Sequence, residues 1–322
     1  MNQKDSATPQ DRSALPGTGA GLRWGLVGVV AFSLTVPMTR VALGGLSPLF
    51  IGSARAVVAA GLAVVCLGLA RRQVPRGRQW ARLVVVGAGV VVGFPLLTSY
   101  ALTTAPASHG AVVIAMLPAA TAVTTVVRTG ERPRPAFWVA AAAGAVAALV
   151  FASFQGDGFG GLHRADLLLV GAVLAAAVGY AEGGLLSREL GAWQTVSWAL
   201  VVCAPLMLAL LLVAVRAGAP DATTAQWAAF GYLGVVSMFL GFLAWYRGLA
   251  IGPMSSVSQV QLAQPVLTIA WAGLLLGEPI TAVTVLGGLV VVTCAASAVR
   301  VRLVGAPPPA AQPTERDVVA LP

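Results

Sequence analysis

PASHGAVVIAMLPAATAVTTVVRTGE, residues 106–131, and PMSSVSQVQLAQPVLTIAWAGLLLGE, residues 253–278, decide the fold of this chain. The second stretch repeats the first at an offset of 147 residues, close to half of the 322-residue chain. A proline opens each stretch, another proline lies inside it, and a Gly-Glu pair closes it. Three landmarks at one offset predict two copies of a single unit. The alternative is a chance likeness between two apolar helices.

The composition is that of an integral membrane protein. The chain is 58% hydrophobic and 10% charged, whereas soluble proteins average about 45–50% and about 25%. Apolar runs of about 20 residues recur, and each is long enough to cross a bilayer as a helix. They do not alternate as barrel strands do, so we predict an all-α protein. The ten predicted spans are residues 22–39, 49–70, 81–104, 107–128, 135–153, 166–187, 193–215, 226–247, 254–276 and 281–300.

The net charge of +9 describes orientation. If the N-terminus is cytoplasmic, 16 of the 20 basic residues fall on the cytoplasmic side, and only Arg40, Arg164 and Arg216 lie in loops on the other side. This is the positive-inside asymmetry, and it predicts that both termini are cytoplasmic in a multi-pass protein of the cell membrane. A basic chain also suggests a nucleic-acid partner, but the positions of the arginines exclude that interpretation.

The repeat predicts two inverted halves. Five spans per copy is an odd number, so the second copy must cross the membrane in the opposite sense. We expect a cytoplasmic tail over residues 1–20, a first five-helix repeat over 21–153, a linker over 154–165, a second repeat over 166–303 and a second cytoplasmic tail over 304–322. Both tails are polar or proline-rich and are expected to be disordered. Inverted repeats place a substrate site near the membrane midplane, between the halves.

The sequence carries no cofactor or metal motif. Cys66, Cys203 and Cys294 lie inside predicted spans, with no disulfide or metal spacing, and are expected to be small packing residues. No phosphate-binding loop is present, so the expectation is a chain without a cofactor or a metal.

The segment FSLTVPMTRVALGGLSPLFIGSARAVVAAGL, residues 32–62, resembles the opening of EamA-type proteins of the drug/metabolite transporter superfamily. A basic residue ends the first span, a Ser-Pro lies in the next loop, and Arg55 lies in span two. The Gly-Glu pairs that close spans four and nine are similar to the same family. The resemblance covers about residues 24–302 and implies an inverted-repeat exporter or exchanger of small metabolites. The second repeat departs from the first, since no arginine stands near Val202, where Arg55 would map.

Two charged residues inside spans are candidates for function, because charge at membrane depth is costly. Arg55 is a candidate for binding an anionic substrate group, or alternatively a residue that reaches the headgroups. Glu182 is a candidate for proton coupling, since a carboxyl at this depth is expected to be protonated unless it is paired or hydrated. The alternative for Glu182 is a structural partner of a cytoplasmic arginine. Glu131 and Glu278 follow glycines at span ends and are expected to be structural.

Span nine carries a polar stripe on one helix face, and span four repeats it more weakly. Two proline-interrupted helices at matching positions indicate a transporter's binding site, while the alternative is that polar side chains hold the helices together. Aromatic residues are expected to line the same cavity, although Trp and Tyr also favour interfaces. The substrate-site candidates are Arg55, Tyr100, Ser108, His109, Tyr180, Tyr246, Ser258, Gln261, Gln264 and Trp271, and Pro118 and Pro265 are the helix-breaking candidates.

These patterns favour a secondary transporter whose partners are the lipid bilayer and a small-molecule substrate, and they leave a homodimer open. The competing class is an integral-membrane enzyme that acts on a lipid-linked substrate. Such enzymes usually cluster carboxylates or histidines at a membrane face, whereas the 11 acids and two histidines of this chain are mostly scattered. The sequence does not indicate the identity of the substrate.

Overall fold

The fold is built entirely from helices in the part of the chain that the structure describes. The computed structural model describes residues 18–70, 74–130, 134–153, 163–251 and 260–305. Over these ranges the helices are α1 (Gly19–Ala42), α2 (Pro48–Ala70), α3 (Arg78–Ala101), α4 (Ala107–Thr129), α5 (Pro135–Ser153), α6 (Arg164–Leu190), α7 (Ala192–Ala217), α8 (Thr224–Ile251), α9 (Gln261–Leu276) and α10 (Ala282–Gly305).

Within the described ranges, seven helices are long and apolar enough to cross a membrane: α1 to α4 and α6 to α8. The apolar parts of α5, α9 and α10 are shorter there, and they run over Pro135–Ala147, Gln261–Leu276 and Ala282–Ser297. The prediction of an all-helical, multi-pass membrane protein is therefore confirmed, while the count of ten spans stays a prediction.

The packing of the helices is unchanged when the two halves are exchanged. Equivalent helices pack on each other, because α2 lies against α7, α4 against α9, and α5 against α10. The contact between α1 and α8 becomes, after exchange, the contact between α6 and α3, and both are extensive. The repeat seen in the sequence is thus repeated in three dimensions.

Several local features recur at the offset of the repeat. A glycine in the left-handed conformation ends α4 at Gly130 (φ 72°) and α9 at Gly277 (φ 64°). Residues with a Cβ rarely adopt this conformation. A π-helical segment interrupts α3 over Ala88–Gly93 and α8 over Tyr232–Leu240. In α3 the cause is Pro95, which lacks the N–H that would continue the α-helical pattern.

Small residues let the helices approach closely around the centre. The buried face of α2 is rich in alanine, with Ala56, Ala59 and Ala63 at most 1% exposed. A Cβ added to Gly248 of α8 would meet the backbone of Gly25 in α1. Close backbone approach is how membrane helices gain packing energy, because lipid supplies no hydrophobic drive between them.

Candidate functional site

A narrow cavity lies at the centre of the bundle and is lined by helices of both halves. Helices α1, α2 and α3 of the first repeat meet α6, α8 and α9 of the second repeat around it. Its walls are partly aromatic, with Phe32 and Phe242 among them. The polar side chains in its lining are Thr35, Arg55, Tyr180, Ser237 and Gln264.

Arg55 is the one charged side chain among the described residues that line this cavity. It is 2% exposed, so its guanidinium does not reach the surface of the bundle. Its buried Nε has no hydrogen-bond partner within the described ranges, and no described carboxylate forms a salt bridge with it. A buried cation without an acid is costly, and it is therefore suited to meet an anionic group that enters the cavity.

The two proline-interrupted helices face each other across a second narrow cavity that shares Gln264 with the first. In α4 the helix stops at Ile114 and resumes at Leu117, next to Pro118. In α9 a 3-10 turn over Gln261–Ala263 precedes the regular helix that contains Pro265. Each proline removes one backbone hydrogen bond, so both helices are weakened where they border the cavity.

Helix α1 is also interrupted beside the cavity. Its regular segments end at Ser33 and restart at Thr35, because Pro37 has no N–H for the Ser33 carbonyl. That carbonyl instead accepts a hydrogen bond from the Thr268 hydroxyl at 2.9 Å. The Trp271 indole donates to the Ser33 hydroxyl at 3.0 Å, so Trp271 holds α9 to α1 and does not line the cavity.

A cluster of aromatic side chains lies on one side of the central cavity. The ring of Phe242 is 4.9 Å from that of Phe32 and 5.9 Å from that of Tyr180, centre to centre. Trp245 and Tyr246 continue this aromatic cluster one turn further along α8. Tyr246 is fully buried behind the cavity wall, and its hydroxyl has no partner among the described residues.

Beyond the aromatic cluster, ion pairs close what we call the arginine end of the bundle. The Glu182 carboxylate of α6 accepts from Arg82 of α3 and from Arg128 of α4, the latter at 2.7 Å. Arg82 also donates to Glu189. Glu182 is 5% exposed, but both arginines border an open vestibule at this end. The alternative that the sequence left open for Glu182, pairing with arginine, is therefore the arrangement that the structure contains.

The opposite end, called here the histidine end, carries a different set of contacts. His109 and Asp166 lie near the starts of α4 and α6, and Nε2 of the histidine is 2.7 Å from Oδ1 of the aspartate. Glu278 accepts hydrogen bonds from the backbone N–H groups of Ala107 and Ser108 at 2.7 and 2.8 Å. This carboxylate satisfies donors at the start of α4 and interacts favourably with the helix dipole. The two ends lie about 28 Å apart along α4, from about 19 residues at about 1.5 Å each.

Some predicted site residues lie away from the central cavity. Tyr100 is 42% exposed near the histidine end of α3, and its side chain faces outward. Ser108 and His109 belong to the histidine end, where one gives its N–H to Glu278 and the other pairs with Asp166. Ser258 and Glu131 lie outside the described residues. The structure thus brings Arg55, Tyr180 and Gln264 together in one cavity, with Gln261 and both prolines next to it.

Sequence reasoning missed several residues of these sites. Asp166 stands at the first position of a predicted span, yet its pairing with His109 depends on α4 and α6 meeting. Nothing in the sequence distinguishes Thr35 or Ser237 from other hydroxyl residues, and their mutual contact at 2.7 Å joins α1 to α8. A sequence signal existed only for the arginines, whose clustering at span ends is visible.

Comparison with known proteins agrees with this architecture. Residues 19–153 and 163–299 each match the EamA-like transporter family. An uncharacterized transporter of Bacillus subtilis (strain 168), YdeK, is 42% identical over 284 residues, which cover 86% of this chain and 96% of YdeK. A probable terminal-alkyne amino-acid exporter of Streptantibioticus cattleyicolor is 27% identical over 269 residues, or 82% of this chain and 89% of the exporter.

A solved crystal structure with 21% sequence identity has the same fold, with a TM-score of 0.60 over 89% of this chain and 98% of that chain. The family match covers both repeats and nearly the whole described chain. The packing of the helices also follows this division into two repeats. The chain therefore belongs to the EamA-like transporter family.

Proposed function

We propose that this chain is a secondary transporter that exports or exchanges small metabolites by alternating access. The cavity between the repeats is the proposed substrate site. The arginine end and the histidine end are the two closures that would open in turn. Both are held by side chains that join one repeat to the other, namely Arg128 with Glu182 and His109 with Asp166.

Arg55 is the single observation that carries the substrate proposal. A buried guanidinium without a described acidic partner favours a ligand that brings its own negative charge, such as a carboxylate. Tyr180, Ser237 and Gln264 supply further polar groups, and the aromatic wall suits an apolar portion of the ligand. One relative is named as an amino-acid exporter, and an amino acid has both features. Substrates with a carboxylate and an apolar side chain are therefore the proposed class.

We also propose how the chain is arranged in the membrane. Ten spans in two inverted five-helix repeats, with the boundaries predicted from the sequence and both termini in the cytoplasm, agree with packing that is unchanged by exchange of the halves. In this orientation the arginine end faces the cytoplasm. We propose the cell membrane as the location.

The proposal for Glu182 differs from simple proton coupling. Two guanidinium groups in contact with one carboxylate stabilise its ionised form, which weakens the case for a proton carrier at this position. We propose that Glu182 holds the cytoplasmic closure. Its ion pairs with Arg82 and Arg128 would break when that end opens.

An export assay tests the substrate proposal. Cells that overexpress the chain are loaded with a panel of amino acids, neutral drugs and cationic amphiphiles, and efflux is measured. We expect efflux of carboxylate-bearing compounds, its loss in Arg55→Gln and partial retention in Arg55→Lys. Arg216→Gln, at the exposed end of α7, is the matched control for loss of one positive charge. Unchanged efflux of the whole panel in Arg55→Gln would refute the assigned site.

Cysteine labelling tests the orientation. Single cysteines that replace His163 and Arg76 lie at the histidine end and the arginine end, respectively. In intact cells an impermeant maleimide should label the first and spare the second. The reverse pattern would overturn the proposed topology.

A further inference from the structure

Both histidines of the chain lie beside the same carboxylate. The chain has two histidines. Nε2 of His109 is 2.7 Å from Oδ1 of Asp166, and Nδ1 of His163 is 3.8 Å from Oδ2 of the same residue. Histidine is the side chain that ordinarily changes charge between about pH 5 and 8. All of the histidine proton chemistry of this protein is therefore concentrated at the histidine end.

The two contacts with Asp166 are not equivalent. The side chains of His109 and Asp166 are each 4% exposed, whereas that of His163 is 59% exposed. Oδ2 of Asp166 accepts the backbone N–H of His163 at 2.9 Å and so caps the start of α6. That leaves Oδ1 for the buried imidazole of His109. The pair of His109 and Asp166 is thus the protected contact, and His163 lies at its rim.

This pair connects two helices that border the central and second cavities. Helix α4 belongs to the first repeat and contributes Ile114 and Leu117 to the second cavity. Helix α6 belongs to the second repeat and contributes Ala176 and Tyr180 to the central one. The strength of the contact between His109 and Asp166 therefore bears on how easily the halves separate at this end.

The charges around the pair are mostly negative near His109. Glu278, from the turn after α9, lies on the backbone of Ala107 and Ser108, next to His109 in the chain. Among the described residues, the arginines at this end are Arg164, which follows His163 in the chain, Arg216 at the end of α7, and Arg40. Arg40 donates to the carbonyls of Leu102 and Thr103 at the end of α3.

Water has a path to the pair. An open pocket of about 220 Å³ is bounded by the loop before α4 and by the start of α6. Its lining includes the exposed residues Thr104 and His163 together with His109 and Asp166 themselves. A proton from the solution at this end can therefore reach the buried imidazole.

We propose that His109 and Asp166 form a proton-binding site that closes the histidine end. The imidazole takes up one proton from water, and both ring nitrogens then carry N–H groups. The hydrogen bond to the Asp166 carboxylate then joins two opposite charges, which strengthens it relative to the contact made by the neutral imidazole. Acid thus tightens α4 against α6, and loss of the proton loosens them. That this end is the outer one rests on the proposed function, whereas the proton site itself does not.

The test measures access to the pocket as a function of pH. Ala105 lines the pocket and is 5% exposed, and neighbouring Thr104 is exposed. Single cysteines at these positions, with Cys66, Cys203 and Cys294 replaced by serine, are labelled with a polar maleimide in purified protein. The ratio of the labelling rate at position 105 to that at position 104 cancels the intrinsic pH dependence of thiol chemistry. We expect this ratio to be about five-fold lower at about pH 5.5 than at about pH 8.

Three variants decide the outcome. His109→Gln keeps an N–H donor for Asp166 but does not titrate, so the ratio should become independent of pH. Asp166→Asn should also flatten it. His163→Gln is the matched control, a histidine beside the same carboxylate, and should keep the full response. A flat ratio in the parent, a response that survives in His109→Gln, or one that is lost in His163→Gln would each overturn the proposal. Because no substrate is needed, failure here is distinct from failure of the transport proposal.

Discussion

Thr268 donates its hydroxyl hydrogen bond toward the backbone carbonyl of Ser33 across the interface of the two repeats, over 2.9 Å. The same hydroxyl is 2.9 Å from the Gln264 carbonyl one turn earlier in its own helix. The Ser33 carbonyl needs this donor because Pro37, four residues later, has no N–H. A proline in one half thus creates an acceptor that a threonine of the other half satisfies.

Removing this hydroxyl should destabilise the fold by an amount that depends on the proline. Thr268→Val is expected to lower the free energy of unfolding by about 0.6–1.7 kcal/mol, the range for hydrogen bonds between membrane helices. In a Pro37→Ala background the backbone N–H gained at position 37 can satisfy the Ser33 carbonyl, so Thr268→Val should cost less there. Unfolding by SDS titration of the parent, the two single variants and the double variant gives the coupling energy between Thr268 and Pro37. Equal costs in both backgrounds would contradict the proposed link.

Glu182→Gln should loosen the arginine end. Arg82 and Arg128 lose the negative charge that they share, and we expect the free energy of unfolding to fall by about 1.5–3 kcal/mol, the range for hydrogen bonds to charged groups. A cysteine at Thr124, which lines the vestibule, should react faster in this variant. Glu189→Gln is the matched control, because Glu189 is 48% exposed and contacts only Arg82 among the described residues. An equal effect of both variants would show that Glu182 has no special role in the closure.

The Glu278 carboxylate should stabilise the start of α4. Glu278→Ala leaves the N–H groups of Ala107 and Ser108 without their acceptor. We expect the free energy of unfolding to fall by about 0.5–2 kcal/mol, as for other helix caps. Glu278→Gln retains one acceptor oxygen and should cost less. Thermal unfolding of the purified variants checks this order. If Glu278→Ala left the stability unchanged, water would replace the carboxylate at no cost in free energy.

Gly183 of α6 should tolerate no side chain. A Cβ at this position would overlap the hydroxyl of Tyr246, and overpacking typically costs about 1–3 kcal/mol. We expect Gly183→Ala to lower the unfolding midpoint and Tyr246→Phe to restore part of it, because it removes the nearest atom. Gly61→Ala is the control, since its added Cβ would meet open space. Failure of Tyr246→Phe to rescue would place the obstruction elsewhere.

Several local features follow from the sequence because they depend on near neighbours. Pro118 and Pro265 each remove a backbone donor wherever they lie in a helix, so interrupted helices are predictable at both positions. Gly130 and Gly277 end their helices for a comparably local reason, the freedom to adopt positive φ. The repeat itself is visible because both copies keep these landmarks at one offset.

The placement of polar groups is predictable only in part. The sequence singles out Arg55, but whether its side chain points into the bundle or toward the headgroups depends on the rotation of its helix. The mostly apolar residues around Arg55 in the sequence do not indicate that rotation. The prediction that Tyr100 and Trp271 line the cavity rests on residue type alone. Residue type does not distinguish a cavity wall from a membrane interface, because Trp and Tyr are common at both.

The sequence by itself determined the helical, duplicated, membrane-spanning character of this protein, because hydropathy and helix-breaking residues act over one turn or one span. The tertiary structure alone decided which charges meet. Glu182 pairs with arginines 54 and 100 positions away, and His109 pairs with an aspartate 57 positions away. Such pairs depend on the rotation of each helix about its axis and on its neighbours, which are set by packing against the rest of the bundle.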